Sequence, residues 1–166
     1  MNIEDIQTNA VNALKRVFEV AAAGTPVLID DGTYPKVDGR EEYLRTVGLC
    51  IVVTPANAVG LIDQGKSGAA SFDMGFHVIV EENVTVNRGT TGTGVVCEKA
   101  AGIVMEGLCG RPNVSAPNSP NTDAPFQPFR LDDPPLVNFG TTGGLRQTVI
   151  NFLVRCFVTP KNRDPQ

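Results

Sequence analysis

The chain has 166 residues, 42% of them hydrophobic and 19% charged, with a net charge of −4. That length suits one domain with a core of its own, and the composition excludes a disordered tail. The acidic balance argues against a protein built to neutralise a nucleic-acid backbone. We expect neither a membrane span nor a secretory signal, because no apolar run approaches about 20 residues and the first residues are acidic.

The first half of the chain predicts one helix followed by strands. Residues 3–22 place their apolar side chains along one helical face, and Gly24 follows as a typical C-terminal glycine. Short apolar or alternating runs, separated by segments with glycine or proline, then predict three strands and two loops. In chain order these are strand 27–30, loop 33–40, strand 47–54, loop 57–71 and strand 72–80.

Strict alternation marks the strand at 72–80 as half-buried. Its even-numbered residues, from Phe72 to Val80, are all apolar, whereas Asp73, Gly75 and His77 take the other face. We therefore expect one face of this strand to lie on the core.

The second half predicts a helix, a long arm and two strands. We expect Thr93 to cap the helix, and Gly110 and Pro112 to end it. The remaining segments, in chain order, are a continuation or successor of the strand at 81–88, a Gly/Thr segment at 89–94, an arm at 113–128, a strand at 136–139, a turn at 140–144, a strand at 146–158 and a frayed tail at 160–166.

This order of elements predicts a single α+β domain spanning residues 1–166. Its sheet is mixed or antiparallel, is covered by two helices and carries long Gly/Pro-rich loops. The core comprises residues 3–110 and 129–158. Most of the 17 glycines and 12 prolines are concentrated in the loops and the arm, at residues 24–39, 55–75, 89–94, 107–128 and 134–144.

The four cysteines predict no metal site. None of them belongs to a Cys-x-x-Cys pair, all have apolar neighbours, and the single histidine, His77, has no partner at ligand spacing. We expect four reduced core cysteines and folding in a reducing cytoplasm.

Three patterns are candidates for chemical sites, and none is favoured. Residues 89–94 (GTTGTG) precede a helix but lack the lysine of a phosphate loop and the third glycine of a dinucleotide fingerprint. His77 and Asp73 lie about 13 Å apart along a strand, too far for a catalytic pair. The Asp pairs at 30–31 and 132–133 lack the spacing of a calcium loop. We therefore expect no enzyme and no cofactor.

A mixed-charge stretch at 40–45 (REEYLR) has two interpretations. It is either a solvated loop or strand face, or a subunit contact in which charges select the partner. With few groups available for proton transfer, the sequence favours binding or assembly over catalysis.

The order of elements resembles that of the tail terminator (tail completion) and related head–tail joining proteins of tailed bacteriophages. It includes an amphipathic first helix, a glycine-bearing insertion, an alternating strand ending in EENVTVNR at 81–88, a helix ending in MEGL at 105–108 and a terminal strand pair. The resemblance covers residues 3–110 and 129–158 as an architecture. It implies a small α+β subunit without catalytic residues.

The resemblance also implies a virion protein that assembles in the host cytoplasm. Its subunits form a ring, expected to be hexameric, that caps the tail tube and contacts tail tube and neck or connector proteins. DNA passes through without specific binding, which agrees with an acidic subunit.

We expect subunit contacts in the arm and in the 57–71 loop. The candidate interface residues are Arg40, Glu41, Arg45, Lys66, Phe72, Asn118, Phe126, Phe129 and Arg155. Two alternatives stay open: another virion role, such as a tail tube, neck, minor capsid or decoration protein, and a small cytoplasmic nucleotide-binding enzyme that uses residues 89–94.

Overall fold

The computed structural model describes residues 3–64, 70–111 and 128–158. In those residues the chain forms four helices and six strands. They are α1 (Ile3–Ala21), β1 (Val27–Ile29), α2 (Arg40–Thr46), β2 (Leu49–Val53), β3 (Asn57–Gln64), β4 (Ala70–Asn83), α3 (Val84–Asn87), α4 (Cys97–Leu108), β5 (Arg130–Thr142) and β6 (Leu145–Val158).

The strands form one open, mixed sheet in the order β1-β2-β4-β6-β5. β1 and β2 are parallel, and all other pairs are antiparallel. β4 is long enough to have two neighbours on one side: β2 pairs with its second half and β3 with its first half. β6 pairs with β4 along its whole length. β4 and β6 are therefore the two central strands of the sheet.

One face of the sheet is covered by α1 and α4. Ile6, Leu14 and Phe18 of α1, with Val104 and Leu108 of α4, are fully buried against it. The even-numbered residues of β4 and β6 supply the other side of this core. Within it the Phe76 ring stacks on Phe152, and Phe129 meets Phe76 edge to face.

The described residues cover the opposite face in its β1–β2 half. There α2 and the loop before it bury Val37 and Leu44 against Cys50, Val52 and Ile79. This second core is the smaller one. The β3 half of the same face carries neither α2 nor that loop.

The predicted α+β class is confirmed, and so is most of the element order. α1, β1, β2, β4, α4 and β6 lie where the sequence predicts them, within a few residues. The predicted faces of β4 are also confirmed: Met74, Phe76 and Val78 are buried, whereas His77 is exposed. Gly24 adopts the left-handed conformation after α1.

Three predictions for segments were wrong. The continuation of the strand that was predicted over 81–88 ends at Asn83, and residues Val84–Asn87 form helix α3. The stretch at 40–45 belongs to helix α2, where a loop or strand was expected. The expected loop at 57–71 contains strand β3 and the start of β4. α2 is held by Glu81, which is distant in sequence, and β3 is held by antiparallel pairing with the strand that follows it, β4.

Three smaller predictions also need correction. Thr93 does not cap α4, which begins at Cys97, because its hydroxyl is engaged with Asn87 and with the backbone of Val95. Cys109 is exposed and not a core residue, because it lies beyond the last turn of α4. β5 and β6 extend to a short turn at Gly143 and Gly144, and so the predicted turn at 140–144 was too long.

The tail that was predicted to be frayed, residues 160–166, and all of the arm except Pro128 lie outside the described residues. Among the helices of the described ranges, none has the length and apolar character that a bilayer crossing requires.

Candidate assembly surface

The end of β4 carries two adjacent buried carboxylates that point to opposite faces of the sheet. Glu81 faces the smaller core and Glu82 the larger one, and both are fully buried. A buried charge must be paired and hydrogen-bonded, since its desolvation cost is otherwise too large. Each of these carboxylates is the centre of its own polar network.

Glu81 holds α2 on the sheet. Arg40, the first residue of α2, donates from Nε and Nη2 to the two Glu81 oxygens at 2.5 and 2.6 Å. The Tyr34 hydroxyl donates to the same carboxylate at 2.8 Å, and Gln147 Nε2 donates to it at 3.1 Å. This fork of hydrogen bonds fixes the start of α2 and the loop before it.

The Glu81 network shifts the acidity of its neighbours. Burial, reinforced by the negative charge of Glu81, raises the pKa of Tyr34 to about 12. The same two causes raise the pKa of Cys50 to about 12. Burial also raises the pKa of Cys97 and of Cys156. These three thiols therefore stay protonated near neutral pH and are poor nucleophiles.

Glu82 occupies the N-terminus of α4. Its Oε2 accepts a hydrogen bond from the Cys97 backbone N–H at 3.0 Å, and its Oε1 accepts from Asn87 Nδ2 at 2.8 Å. Helix N-termini attract anions, and here a carboxylate of the chain itself takes that place. The structure thus gives the GTTGTG segment at 89–94 a structural role before α4, and a phosphate at this helix N-terminus would meet the Glu82 carboxylate.

Asn87 explains the glycine at position 92. The Gly92 backbone lies so close to Asn87 that an added Cβ would meet the Asn87 carbonyl oxygen at 2.1 Å. Asn87 Nδ2 also donates to the Val95 carbonyl, and Thr93 Oγ1 donates to Asn87 Oδ1. The glycine therefore serves a close backbone approach within the protein.

The β3 half of the second sheet face, which we call the open face, is polar and partly exposed. Asp73 Oδ1 accepts from Arg130 Nη2 at 2.9 Å and from Arg155 Nε at 3.2 Å. His77 Nδ1 lies 2.8 Å from Asn151 Oδ1. These contacts join β4, β5 and β6 across the sheet.

A small apolar strip crosses the open face between these polar groups. Gly75 of β4 lies opposite Leu153 of β6, and the Val59 side chain lies over Gly75, 2.5 Å from the position that a Cβ would take. Val59 is itself 62% exposed. The open face therefore combines complementary charges with an exposed apolar side chain, as protein interfaces do.

The remaining chemical candidates are accounted for by structural contacts. Asp73 is paired with the two arginines, and so it does not act on His77. Asp30 is buried and accepts from the backbone N–H groups of residues 32, 33 and 34. Asp132 accepts from the next backbone N–H. Among the described residues, no three His, Cys, Asp or Glu side chains converge as a metal site would require.

The nine predicted interface residues differ in how far the structure exposes them. Glu41 and Arg45 are exposed on α2, and Arg155 lies on the open face. Arg40 is buried against Glu81, and Phe129 is buried in the larger core, so neither is presented to a neighbour. Phe72 is half-buried and packs on the larger core. Lys66, Asn118 and Phe126 lie outside the described residues.

Sequence reasoning did not identify the roles of Glu81 and Glu82, although a signal was present. The apolar series of even positions from Phe72 to Val80 leads directly to Glu82. A carboxylate that continues a buried face requires a buried partner. The sequence gives no indication of which partner that is.

Comparisons with known proteins find a similar fold in a solved structure. No protein-family model matches the chain, and no curated protein matches it. The structure is similar to a chain in a solved structure of the virion of a native gene transfer agent (GTA) particle, with a TM-score of 0.53. The two share 13% sequence identity, and the match covers 90% of this chain and 92% of that chain. At this identity the likeness shows a common fold.

Proposed function

We propose that this protein is a structural subunit of a phage-like virion and that it acts as a tail terminator. In this role it forms a ring that caps the tail tube and joins it to the neck. The observation that carries the proposal is the fold shared with a virion chain over nine-tenths of both chains. The order of elements, which resembles that of tail terminators, supports the more specific role.

The use of the polar groups favours assembly over catalysis. Glu82 fills the N-terminus of α4, Asp73 is bound by two arginines, and burial keeps three thiols protonated. Groups engaged in this way stabilise the subunit and do not converge on a substrate. The open face, by contrast, presents the exposed Val59 side chain and the partly exposed side chains of Arg130 and Arg155 to a partner.

The charge of the subunit suits a conduit for DNA. A net charge of −4 repels a duplex and gives little specific or non-specific affinity for it. We propose a hexameric ring whose contacts include Glu41, Arg45 and Arg155 together with Lys66, Phe72, Asn118 and Phe126. Its other partners are the tail tube protein and a neck or connector protein, and it assembles in the host cytoplasm.

The test is electron microscopy of the purified protein, alone and with a tail tube protein from the same genome. We expect rings of one size that bind the ends of tubes and stop their growth. A sedimentation profile that stays monomeric at high concentration, with no ring even beside tube protein, would contradict the proposal. Open-ended stacks would instead identify a tube protein.

Thermal unfolding with nucleotides tests the enzymatic alternative. A ligand at 100 times its dissociation constant adds about 2.7 kcal/mol to the free energy of unfolding. We expect no shift of the unfolding temperature with ATP, GTP or NAD, because Glu82 already occupies the α4 N-terminus. A reproducible shift would favour the nucleotide-binding alternative.

A further inference from the structure

The sheet has three strands with an unpaired edge among the described residues: β1, β3 and β5. Exposed edges invite pairing with other chains, and proteins usually blunt them by shortness, charge, proline or a bulge. β1 has only three residues. β5 is interrupted at 132–135, a segment that contains two prolines and is not in register with β6.

β3 has some of these protections and lacks others. Its pairing with β4 shifts register between Ala58 and Gly60 and between Leu61 and Asp63, but the strand is neither short nor interrupted by proline. Its eight residues, NAVGLIDQ, contain no proline, lysine or arginine, and their single charge is Asp63. Residues 57–60 are all exposed. An edge strand of this length and composition is suited to accept another strand.

The outline of the sheet leaves a place for that strand. β2 and β3 lie on the same side of β4, and β1 adds one more strand beyond β2. No described strand lies beyond β3. The sheet is therefore one strand narrower at β3, and a strand of about seven residues would fill this notch.

The strand directions indicate which strand fits. In the path β3-β4-β6-β5 every neighbour is antiparallel, so β3 and β5 run in opposite directions. A second copy that brings its β5 beside β3 would continue the antiparallel alternation. The part of β5 beyond the interruption, residues 136–142, has the required length and begins with Leu136, which is 41% exposed.

We propose that the free edge of β3 binds residues 136–142 of β5 from a second copy, so that subunits join head to tail. This inference rests on the proposed function and deepens it, because a head-to-tail contact generates rings when its rotation closes. Pairing β3 with a second β3 would instead give a closed dimer. A dimer leaves the edge of β5 unused.

The pairing also sets the arrangement of the subunits. β3 pairs with residues 70–75 of β4, whereas residues 136–142 of β5 lie at the level of residues 78–83. Neighbouring subunits are then staggered along the strand direction. As in a closed barrel, that stagger requires strands that are tilted relative to the ring axis.

The first experiment measures hydrogen exchange of the full-length chain as a function of concentration. Assembly should slow the exchange of backbone amides in residues 57–64 and 136–142 more than in α1. The Val59→Lys variant should weaken assembly at least tenfold, since a lysine on an edge strand opposes pairing. Val20→Lys is the matched control, because Val20 is 89% exposed on α1, and it should assemble normally.

The second experiment identifies the paired strands by cross-linking. In a Cys109→Ser background, which removes the exposed native thiol, one sample carries Val59→Cys and another carries Val137→Cys. Oxidation of the mixture should give mixed dimers, and the double variant should give a ladder of multimers. Dimers formed by Val59→Cys alone would overturn the head-to-tail arrangement in favour of β3–β3 pairing.

The outcomes separate this inference from the proposed function. If rings form but the backbone amides of β3 exchange hydrogen as fast in the ring as in the monomer, the edge pairing is wrong and the terminator role stands. Ladders from the double variant together with open filaments would support the edge pairing and contradict the terminator role. A chain that stays monomeric would overturn both.

Discussion

At the scale of single residues, the Arg40–Glu81 pair is the contact on which α2 most depends. The helix has seven residues, too few to be stable alone. Its apolar contribution to the smaller core consists mainly of Leu44. The buried fork from Arg40 to Glu81 supplies the fixed attachment that the short helix otherwise lacks.

We expect Glu81→Gln to lower the free energy of unfolding by about 3–5 kcal/mol, because it leaves the Arg40 charge buried without a counter-charge. Urea unfolding followed by circular dichroism measures the change. Glu98→Gln is the matched control, since the Glu98–Arg146 pair is largely exposed and should contribute about 1 kcal/mol or less. Equal losses in the two variants would show that the buried pair does not hold α2.

The ionisation of Tyr34 reports on the same network. Its pKa in the folded protein, about 12, lies above the ordinary value of 10.0, so the folded state holds the phenolic proton more tightly than the unfolded state. The corresponding stability is complete below pH 10 and is lost as the pH rises through about 12.

The chain has two tyrosines and no tryptophan, so Tyr43→Phe leaves Tyr34 as the single ultraviolet-absorbing phenol. We expect its absorbance at 295 nm to titrate with a midpoint near pH 12. Glu81→Gln should lower that midpoint, because the negative charge of Glu81 contributes to the shift. A midpoint near 10, in a protein that circular dichroism shows to be folded, would contradict the hydrogen bond from Tyr34 to Glu81.

At the scale of elements, periodicity predicted those that bury a regular apolar face. α1 and β4 carry such faces, and both were predicted within a few residues. α2 and β3 carry none: REEYLRT is mostly charged, and NAVGLIDQ contains a glycine and is followed by two more. α2 depends on Glu81, which is 41 residues from Arg40, and β3 depends on antiparallel pairing with β4. Apolar periodicity reports neither contact.

The same reasoning explains what could be predicted of the candidate surface. Alternation along β4 correctly placed Asp73 and His77 on the face away from the core. It did not identify their partners, Arg155 and Asn151, because these depend on the register between β4 and β6. The open edge of β3 could not be predicted at all, since β3 itself was expected to be a loop.

Two glycines near α4 should respond oppositely to alanine. Gly92→Ala places a Cβ 2.1 Å from the Asn87 carbonyl oxygen and should cost about 1–3 kcal/mol of stability. Gly102→Ala, in the middle of α4, meets nothing within 4 Å and should add about 0.5–1 kcal/mol through helix propensity. Thermal unfolding of both variants checks the signs. A neutral Gly92→Ala would mean that the connection before α4 adjusts freely.

At the scale of the whole molecule, the arm leaves and re-enters the fold at one place. The Gly110 N–H donates to the Phe129 carbonyl, and the Phe129 N–H donates to the Arg111 carbonyl, at 2.9 and 3.0 Å. Phe129 is also anchored in the larger core. The ends of the arm are thus held together by described residues, whatever lies between them.

We therefore expect that replacing residues 113–128 with Gly-Ser leaves the fold intact. Shortening a loop about eightfold, when its ends already meet, changes the free energy of loop closure by only about 2 kcal/mol. Ring formation should fail, because the arm is one of the proposed contacts. Unfolding curves and sedimentation measure the two effects separately. Loss of folding would show that the arm belongs to the core, and unchanged rings would remove it from the interface.

The adjacent carboxylates at the end of β4 have one more consequence. If β4 slipped by one residue against its neighbours, Glu81 would face α4 and Glu82 would face α2. Each charge would then be buried away from the arginine and the amides that now neutralise it. A slip between strands that carry only apolar residues would cost less free energy, because this slip would leave two buried charges without their partners. The Glu-Glu dipeptide therefore fixes the register of β4 against its neighbouring strands. That register in turn positions the exposed edge of β3 and the open face beside it.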